Sequence, residues 1–167
     1  PAASLWRTRA DTVRARVLER GWSAKLGSFV DVFDGSGADA SLLLLPEIGL
    51  VAHDDPRFLG TLGFLERRLR RGDFLARYDR ADDFGAPTVA FNLCTFWYIN
   101  ALAGVGRMDE ARQLFESMLA RCNHVGLLSE DIDPGSGELW GNFPQTYSLV
   151  GIVNAAMRLS KPWESAL

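Results

Sequence analysis

Apolar side chains recur at helical spacing along most of this chain. Residues 8–20 carry them on one helical face and are followed by Gly21, which predicts a first helix with a glycine stop. Asp39 precedes the run "ASLLLLPEIGLV" and is a suitable N-cap for a second helical segment. The spacing of the apolar positions therefore predicts helices rather than strands in this part of the chain.

Four further helices are predicted on similar grounds. Pro56 begins one that has a basic last turn and ends at Gly72. Residues 87–106 are apolar around most of the helical circumference, which predicts a helix that is buried on nearly all sides. Residues 108–123 are amphipathic, and residues 143–160 predict the last helix. The inward face of the amphipathic helix is predicted to consist of Ala111, Leu114, Phe115, Met118 and Leu119.

Three connecting segments share one composition. Each passes through a short apolar or aromatic stretch to acidic residues and glycine; the segments are 20–37, 71–87 and 122–141. They recur at intervals of about fifty residues, the length of two helices and a long loop, which is typical of a helical-hairpin array. Alternate loops of such an array lie at the same end. We therefore expect a single all-α domain over residues 1–167, an arc of about six helices with these three loops together.

Charge and cysteine content exclude some classes of function. A net charge of -3 and a pI near 5.4 leave no basic surface for nucleic acid. No apolar run is long enough to cross a bilayer, so no membrane partner is predicted. Cys94 and Cys122 lack metal-ligand spacing and are typical of reduced thiols in a cytoplasmic protein, with one disulfide as the alternative. The chain begins at Pro1, which suggests a piece of a longer protein.

The segment from 126 to 148 combines carboxylates with aromatic side chains. These residues are Glu130, Asp131, Asp133, Glu138, Trp140, Phe143 and Tyr147. Aromatic faces stack on the apolar faces of sugar rings, and carboxylates accept hydrogen bonds from sugar hydroxyls. Hydrolysis of a glycosidic bond requires two carboxyl groups, and this segment offers candidates for one of them. The composition therefore suits a carbohydrate.

Several sequence blocks together resemble glycoside hydrolase family 15, in the C-terminal part of its catalytic domain. The most specific blocks are "CTFW" and "LLSEDIDP…GNFPQTYS", and the blocks "DASLLLLP" and "RYDRADDFG" are similar to the same family. This family contains glucoamylases, related α-glucosidases and some bacterial trehalases. The resemblance implies an (α/α)6 toroid, present here as a partial arc, and inverting hydrolysis of terminal α-glucosidic bonds.

The resemblance also implies roles for individual residues. Glu130 corresponds to the general base, which activates a water molecule on the face of the sugar opposite the leaving group. Arg77 and Tyr78 match a pair that contacts substrate hydroxyls, and Tyr147 matches a wall of the sugar site. The acids of the turn after Arg77 fall on Asp82 and Asp83. Trp140 is expected either at the rim of the pocket or as a packing lid.

The resemblance leaves part of the site outside this chain. The general acid of the family belongs to the N-terminal half of the barrel, so the chain alone is predicted to be inactive. Its truncated edge is expected to expose apolar surface and to favour self-association. Many bacterial members carry an acid-glycine pair where this chain has Thr88 and Val89. The preference among starch oligosaccharides, isomalto-oligosaccharides and the disaccharide trehalose therefore stays open, and no cofactor or metal is predicted.

Other interpretations of the same residues remain. Arg77 is either a substrate contact or a surface arginine paired with Asp79 or Asp82, and Trp97 is expected in the core rather than at the ligand. Asp131 and Asp133 are expected to shape the loop through side-chain bonds to the backbone.

Two other functions compete with glycoside hydrolysis for the chain as a whole. One is a non-catalytic helical-repeat module, and the other is a disaccharide phosphorylase on the same toroid. The hydrolase interpretation requires Glu130 to face the same concavity as Arg77 and Tyr147.

Overall fold

A computed structural model describes residues 2–83 and 85–160. Helices dominate this part of the chain, and they are α1 (Ala2–Arg20), α2 (Pro56–Leu69), α3 (Asn92–Gly104), α4 (Met108–Leu119) and α5 (Thr146–Leu159). A 3₁₀ helix spans Ala40–Leu44. The five α-helices and the 3₁₀ helix of the described residues occupy the places of the six predicted helices.

Short strands, which the apolar pattern did not predict, fasten the connecting segments. They are β1 (Trp22–Ser23), β2 (Ser28–Phe29), β3 (Arg70–Arg71), β4 (Phe74–Leu75), β5 (Ala90–Phe91), β6 (Asp131–Ile132) and β7 (Leu139–Trp140). β1 pairs with β2 and β3 with β4, each as an antiparallel hairpin directly after a helix. β5, β6 and β7 form one antiparallel sheet in that order. This sheet joins two segments that are far apart in sequence.

Helix α3 lies at the centre of the core. Nine of its 13 residues are buried, and it packs against α4, α5 and the 3₁₀ helix. Gly151 of α5 permits close packing, because a Cβ there would lie 2.5 Å from the ring of Phe96. The prediction of a helix that is buried on nearly all sides is confirmed, although the helix begins at Asn92 rather than at residue 87.

Two helices begin after an aspartate that acts as the N-cap. Asp39 caps the 3₁₀ helix, since its side chain accepts a hydrogen bond from the Ser41 N–H (2.9 Å). Asp55 caps α2 in the same way through the Arg57 N–H (2.8 Å). The segment after Asp39 forms a short 3₁₀ helix rather than a long α-helix. Pro46 explains this, because its nitrogen has no hydrogen to donate to an earlier carbonyl.

Apolar side chains are exposed on the first and last helices. On α1, Trp6 and Val13 lie in solvent, and on α5 Met157 is 73% exposed. The predicted inward face of α4 is wrong at Leu119, which is exposed although the adjacent Met118 is fully buried. Leu119 lies at the edge of the face that Ala111, Leu114 and Met118 present to the core. None of the helices in residues 2–83 and 85–160 is long and apolar enough to span a membrane.

Candidate active site

The three long connecting segments converge, as the spacing predicted. Arg80 pairs with Asp31 and joins the first segment to the second, and just after the first segment the Ala40 N–H donates a hydrogen bond to the carbonyl of Arg77 (2.8 Å). Phe91 of β5, four residues after the second segment, pairs with Asp131 of β6 in the third. The side chains at this junction are therefore held by backbone pairing over long sequence distances.

Two adjoining cavities lie at the junction. The main cavity has a volume of about 390 Å³ and is lined by Asp39, Ser41, Arg77, Phe91, Leu93, Trp97, Glu130 and Tyr147. The small cavity has a volume of about 200 Å³ and is lined by Arg77, Tyr78, Pro87, Val89, Phe91, Glu130 and Asp131. The two cavities share Arg77, Phe91 and Glu130, so a ligand in one borders the other. Aromatic and apolar side chains line both cavities together with convergent polar groups, a combination that is found in small-molecule sites.

Glu130 has one carboxylate oxygen held and one open. Its Oε2 accepts hydrogen bonds from the side-chain nitrogen of Asn142 (2.7 Å) and from the Asn142 N–H (3.1 Å). No donor within residues 2–83 and 85–160 bonds to its Oε1. The carboxylate is thus fixed in orientation and keeps acceptor capacity on the wall of the main cavity.

Buried polar side chains fix the backbone next to Glu130. The carbonyl of Ser129 accepts hydrogen bonds from Asn92 Nδ2 (2.9 Å) and from Ser148 Oγ (2.7 Å). Both donors are fully buried, and the Asn92 N–H also donates to the carbonyl of Glu130 (2.9 Å). These residues were not predicted from the sequence. The available signal was a polar residue in the first turn of an otherwise apolar helix.

Gly141 allows the backbone to pass close to two carboxylates. Its φ is +77°, and a Cβ there would lie 3.0 Å from the Cβ and Oε2 of Glu130 and 3.1 Å from Oδ2 of Asp131. A side chain at this position would therefore meet both acids and would also strain the backbone.

The Arg77 guanidinium makes no ion pair with any carboxylate among the described residues. Of its two alternative partners, Asp79 bonds to Arg68 (2.5 Å) and Asp82 accepts a hydrogen bond from the Tyr78 hydroxyl. Arg77 instead lies over the ring of Tyr78, with 5.7 Å from its central carbon to the ring centroid. Arg77 lines both cavities, and guanidinium donors suit hydroxyl groups.

Asp131 does not shape the turn, contrary to the sequence prediction. Asp133 does so, by accepting hydrogen bonds from the N–H groups of Gly135 (2.7 Å) and Ser136 (2.8 Å). Asp131 is half-buried in β6 and lines the small cavity instead. Burial raises the pKa of its carboxyl to about 6, the charge of Glu130 adds to this rise, and Arg77 opposes it.

The structure brings only some of the predicted substrate residues to the cavities. Tyr147 lines the main cavity and Tyr78 the small one, whereas Asp82, Asp83 and Trp140 line neither. Trp140 pairs with Asp131 across β6 and β7. Because β7 is the outer strand of this sheet, the Trp140 side chain is 53% exposed. Asp39 and Trp97, predicted as a cap and a core residue, also line the main cavity.

The chain matches the family described as glycosyl hydrolases family 15 over residues 2–157. It is 38% identical over 157 residues to a trehalase of Thermoplasma volcanium, an alignment that covers 93% of this chain and 25% of that protein. It is 31% identical over 167 residues to a trehalase of Mycobacterium tuberculosis, with 98% and 24% covered. The chain therefore spans about a quarter of the length of these relatives.

Solved structures share the fold. A wild-type glycosidase superimposes with a TM-score of 0.80 at 22% identity, over 95% of this chain and 45% of that one. A glycosidase variant in complex with glucose gives the same values. Together with the family match, this likeness confirms the predicted partial (α/α)6 toroid. The chain belongs to glycosyl hydrolase family 15, a family of enzymes that hydrolyse glycosidic bonds.

Proposed function

We propose that this chain is the C-terminal part of a barrel that hydrolyses a terminal α-glucosidic bond with inversion, and that Glu130 is the general base. One observation carries the proposal. The open Oε1 of Glu130 belongs to a carboxylate that lines one cavity with Arg77 and Tyr147. A non-catalytic repeat module has no need for this convergence of unpaired polar groups, and it is therefore not favoured.

The proposed reaction uses the two oxygens of Glu130 differently. Oε2 is held by Asn142, and Oε1 accepts a proton from a water molecule. The water oxygen attacks the anomeric carbon from the side opposite the leaving group. As the glycosidic bond breaks, its oxygen takes a proton from a general acid, which we place in a part of the protein outside these 167 residues. The products are the sugar of inverted configuration and the free alcohol.

The remaining cavity side chains suit a glucosyl unit. The rings of Tyr147, Trp97 and Phe91 provide faces on which the apolar side of a pyranose packs. Arg77 donates to hydroxyls without first breaking an ion pair among the described residues. Tyr78 lies beneath Arg77 and orients it. In this proposal Asp82 acts through Tyr78, from whose hydroxyl it accepts a hydrogen bond, while Asp83 and Trp140 lie farther from the sugar.

The names of the relatives favour trehalose as the substrate over the starch oligosaccharides of glucoamylases. Both aligned proteins named above are trehalases. Trehalose consists of two glucose units, and one structural neighbour binds glucose. Initial rates on trehalose, maltose and isomaltose, measured with the complete protein, test this choice. A preference for maltose over trehalose would contradict it.

We also propose a cytoplasmic location, since both cysteines are free thiols.

The decisive experiment is Glu130→Gln in the complete protein. Loss of general-base catalysis should lower kcat by about 10²–10⁴-fold. KM should change by less than about threefold, because the amide keeps the shape of the carboxylate. Glu138→Gln is the matched control, since Glu138 is exposed and lines neither cavity. NMR of the first-formed anomer tests inversion. An unchanged kcat in Glu130→Gln would refute the proposal.

The isolated chain of 167 residues should show no turnover of any α-glucoside. It supplies a base but, in this proposal, no acid, and the loss of leaving-group protonation costs about 10²–10⁴-fold. The apolar side chains on α1 and α5 should be covered by the rest of the barrel, so the isolated chain should self-associate through them. Sedimentation velocity measures this association. Turnover that Glu130→Gln abolishes would show that the chain is catalytically complete.

A further inference from the structure

Asp131 is a half-buried carboxylate without a donor. No hydrogen bond to its side chain is present among residues 2–83 and 85–160, whereas Asp133, two positions later, accepts two from the backbone. The acceptor capacity of Asp131 is therefore available to a donor from outside the chain, since its side chain lines the small cavity.

The sheet directs Asp131 toward the cavity. Directly paired residues of neighbouring strands project on the same face, so Asp131 shares its face with Phe91, its partner on β5. Ile132, the next residue, points to the opposite face and is fully buried in the core. Phe91 lines both cavities, and Asp131 lines the small one beside it, on the side where the two cavities adjoin.

The groups around Asp131 suit a neutral hydroxyl donor. Glu130 and Arg77 are the charged residues that line the small cavity with it, and Tyr78 is the other titratable one. A sugar hydroxyl can donate to Asp131 while Arg77 donates to the same or the next hydroxyl, and this arrangement brings no further charge into the cavity. A ligand that carries a carboxylate would instead bring a third negative charge and repel both Glu130 and Asp131.

We propose that Asp131 is a substrate-binding residue, whose carboxylate accepts a hydrogen bond from a hydroxyl of the glucosyl unit that has its anomeric carbon at Glu130. This inference rests on the proposed function. It extends the site from the single carboxylate of the general base to a pair, in which Glu130 serves the water and Asp131 holds the sugar. Gly141, which lies against both carboxylates, keeps their spacing.

The test removes the carboxylate of Asp131 and, separately, single hydroxyl groups of the sugar. The substrates are α-D-glucosyl fluoride and its 3-, 4- and 6-deoxy analogues, which lack a second sugar and so report on the glucosyl unit alone. The complete protein is compared with Asp131→Ala by kcat/KM. In the wild type, removal of the contacted hydroxyl should lower kcat/KM by about 10- to 100-fold. In Asp131→Ala the same removal should cost less than about threefold, because the bond is already absent.

Controls separate the possible outcomes. Asp133→Ala should keep the wild-type pattern, since Asp133 bonds only within its turn. Asp131→Asn retains the shape of the side chain, and it should also lower the cost of the same deoxygenation if Asp131→Ala folds poorly. Equal losses for every analogue in the wild type and both Asp131 variants would overturn the inference. If Glu130→Gln keeps its activity, the proposed function fails; if only the deoxy pattern fails, the general base stands and Asp131 does not bind substrate.

Discussion

Arginine, tyrosine and acidic side chains meet at two places that both involve helix α3. One is the cavity region just described. The other, here called the interhelical network, connects α2, α3 and α4 and consists of Glu66, Arg70, Tyr98, Arg107 and Glu110. The same residue types occur in both regions, so composition does not distinguish them. Their hydrogen bonds do.

In the interhelical network every charged group has a partner. The Tyr98 hydroxyl donates to Glu66 (2.5 Å), which also accepts from Arg107 (2.6 Å). Arg70 donates to Tyr98 (3.1 Å) and to Glu110 (2.9 Å), and Arg107 donates twice to Glu110. Burial opposes ionisation of Glu110, but hydrogen bonds from Arg107 and Arg70 outweigh it and lower its pKa. Two positive and two negative charges cancel within the network.

In the cavity region comparable groups lack partners within the described chain. Arg77 has no carboxylate partner, Glu130 has one open oxygen, and Asp131 has no donor. Unsatisfied polar groups lower stability, and in native proteins they concentrate where a ligand completes them. Hydrogen-bond pairing, rather than residue type, therefore distinguishes the cavity region from the interhelical network.

The largest effect is expected from Glu66→Ala. This change removes the acceptor of the buried Tyr98 hydroxyl and one of the two carboxylates that Arg107 pairs with, so Arg107 keeps only Glu110. The free energy of unfolding should fall by about 2–3 kcal/mol, while kcat and KM of the complete protein should not change. Urea denaturation measures the loss, with Glu138→Ala as a control that should cost less than about 0.5 kcal/mol. A loss of activity with unchanged stability would reverse the assignment of the two regions.

A smaller effect is expected from Gly141→Ala, which brings a methyl group against both cavity carboxylates. The positive φ alone should cost about 1–2 kcal/mol, and displacement of Glu130 should also lower kcat. Gly137→Ala is the matched control, because its φ of +76° carries the same strain and its Cβ would meet only the flexible end of Arg121. Thermal melts and kcat are compared for the pair. Equal kcat in the two variants would show that the carboxylates tolerate the methyl group.

The sequence predicted the parts of this picture that depend on local patterns or on a recognisable motif. The helices followed from apolar spacing, and Glu130, Arg77 and Tyr147 were named before their convergence in one cavity was visible. The position of Asp131 at the small cavity was not predicted, because it depends on pairing with Phe91, forty positions earlier in the chain. The position of Trp140 on the outer strand β7 depends on its pairing with Asp131 in the same way.

The interhelical network was not predicted either. Its ion pairs join residues of three helices, and no local pattern specifies which arginine meets which glutamate. The basic last turn of α2 was interpreted only as a match to the helix dipole. Arg70, directly after this helix, has a further role, since it bonds to Tyr98 on α3 and Glu110 on α4.

The smallest effects are expected from Asp131 and Asp133, whose pKa values shift in opposite directions on folding. The pKa of Asp131 is raised to about 6 in the folded chain, so the folded state binds more protons than the unfolded state between pH ~4 and ~6. The free energy of unfolding should therefore fall as pH rises through that range. Asp131→Asn cannot ionise and should be more stable than the wild type at pH 7, by about 1 kcal/mol after allowance for solvent screening.

Asp133→Asn should show the opposite sign. Backbone hydrogen bonds from Ser136 and Gly135 lower the pKa of Asp133, so its contribution is present above pH ~4 and is lost as pH falls further. Urea denaturation of both variants and the wild type at pH 3, 4, 5, 6 and 7 measures the two curves. The wild-type minus Asp131→Asn difference should become negative between pH ~4 and ~6, and the wild-type minus Asp133→Asn difference should be positive at pH 7. If Asp131→Asn destabilises the chain at pH 7, its carboxylate is satisfied within the fold, and the contrast between an unpaired site and a paired network no longer holds there.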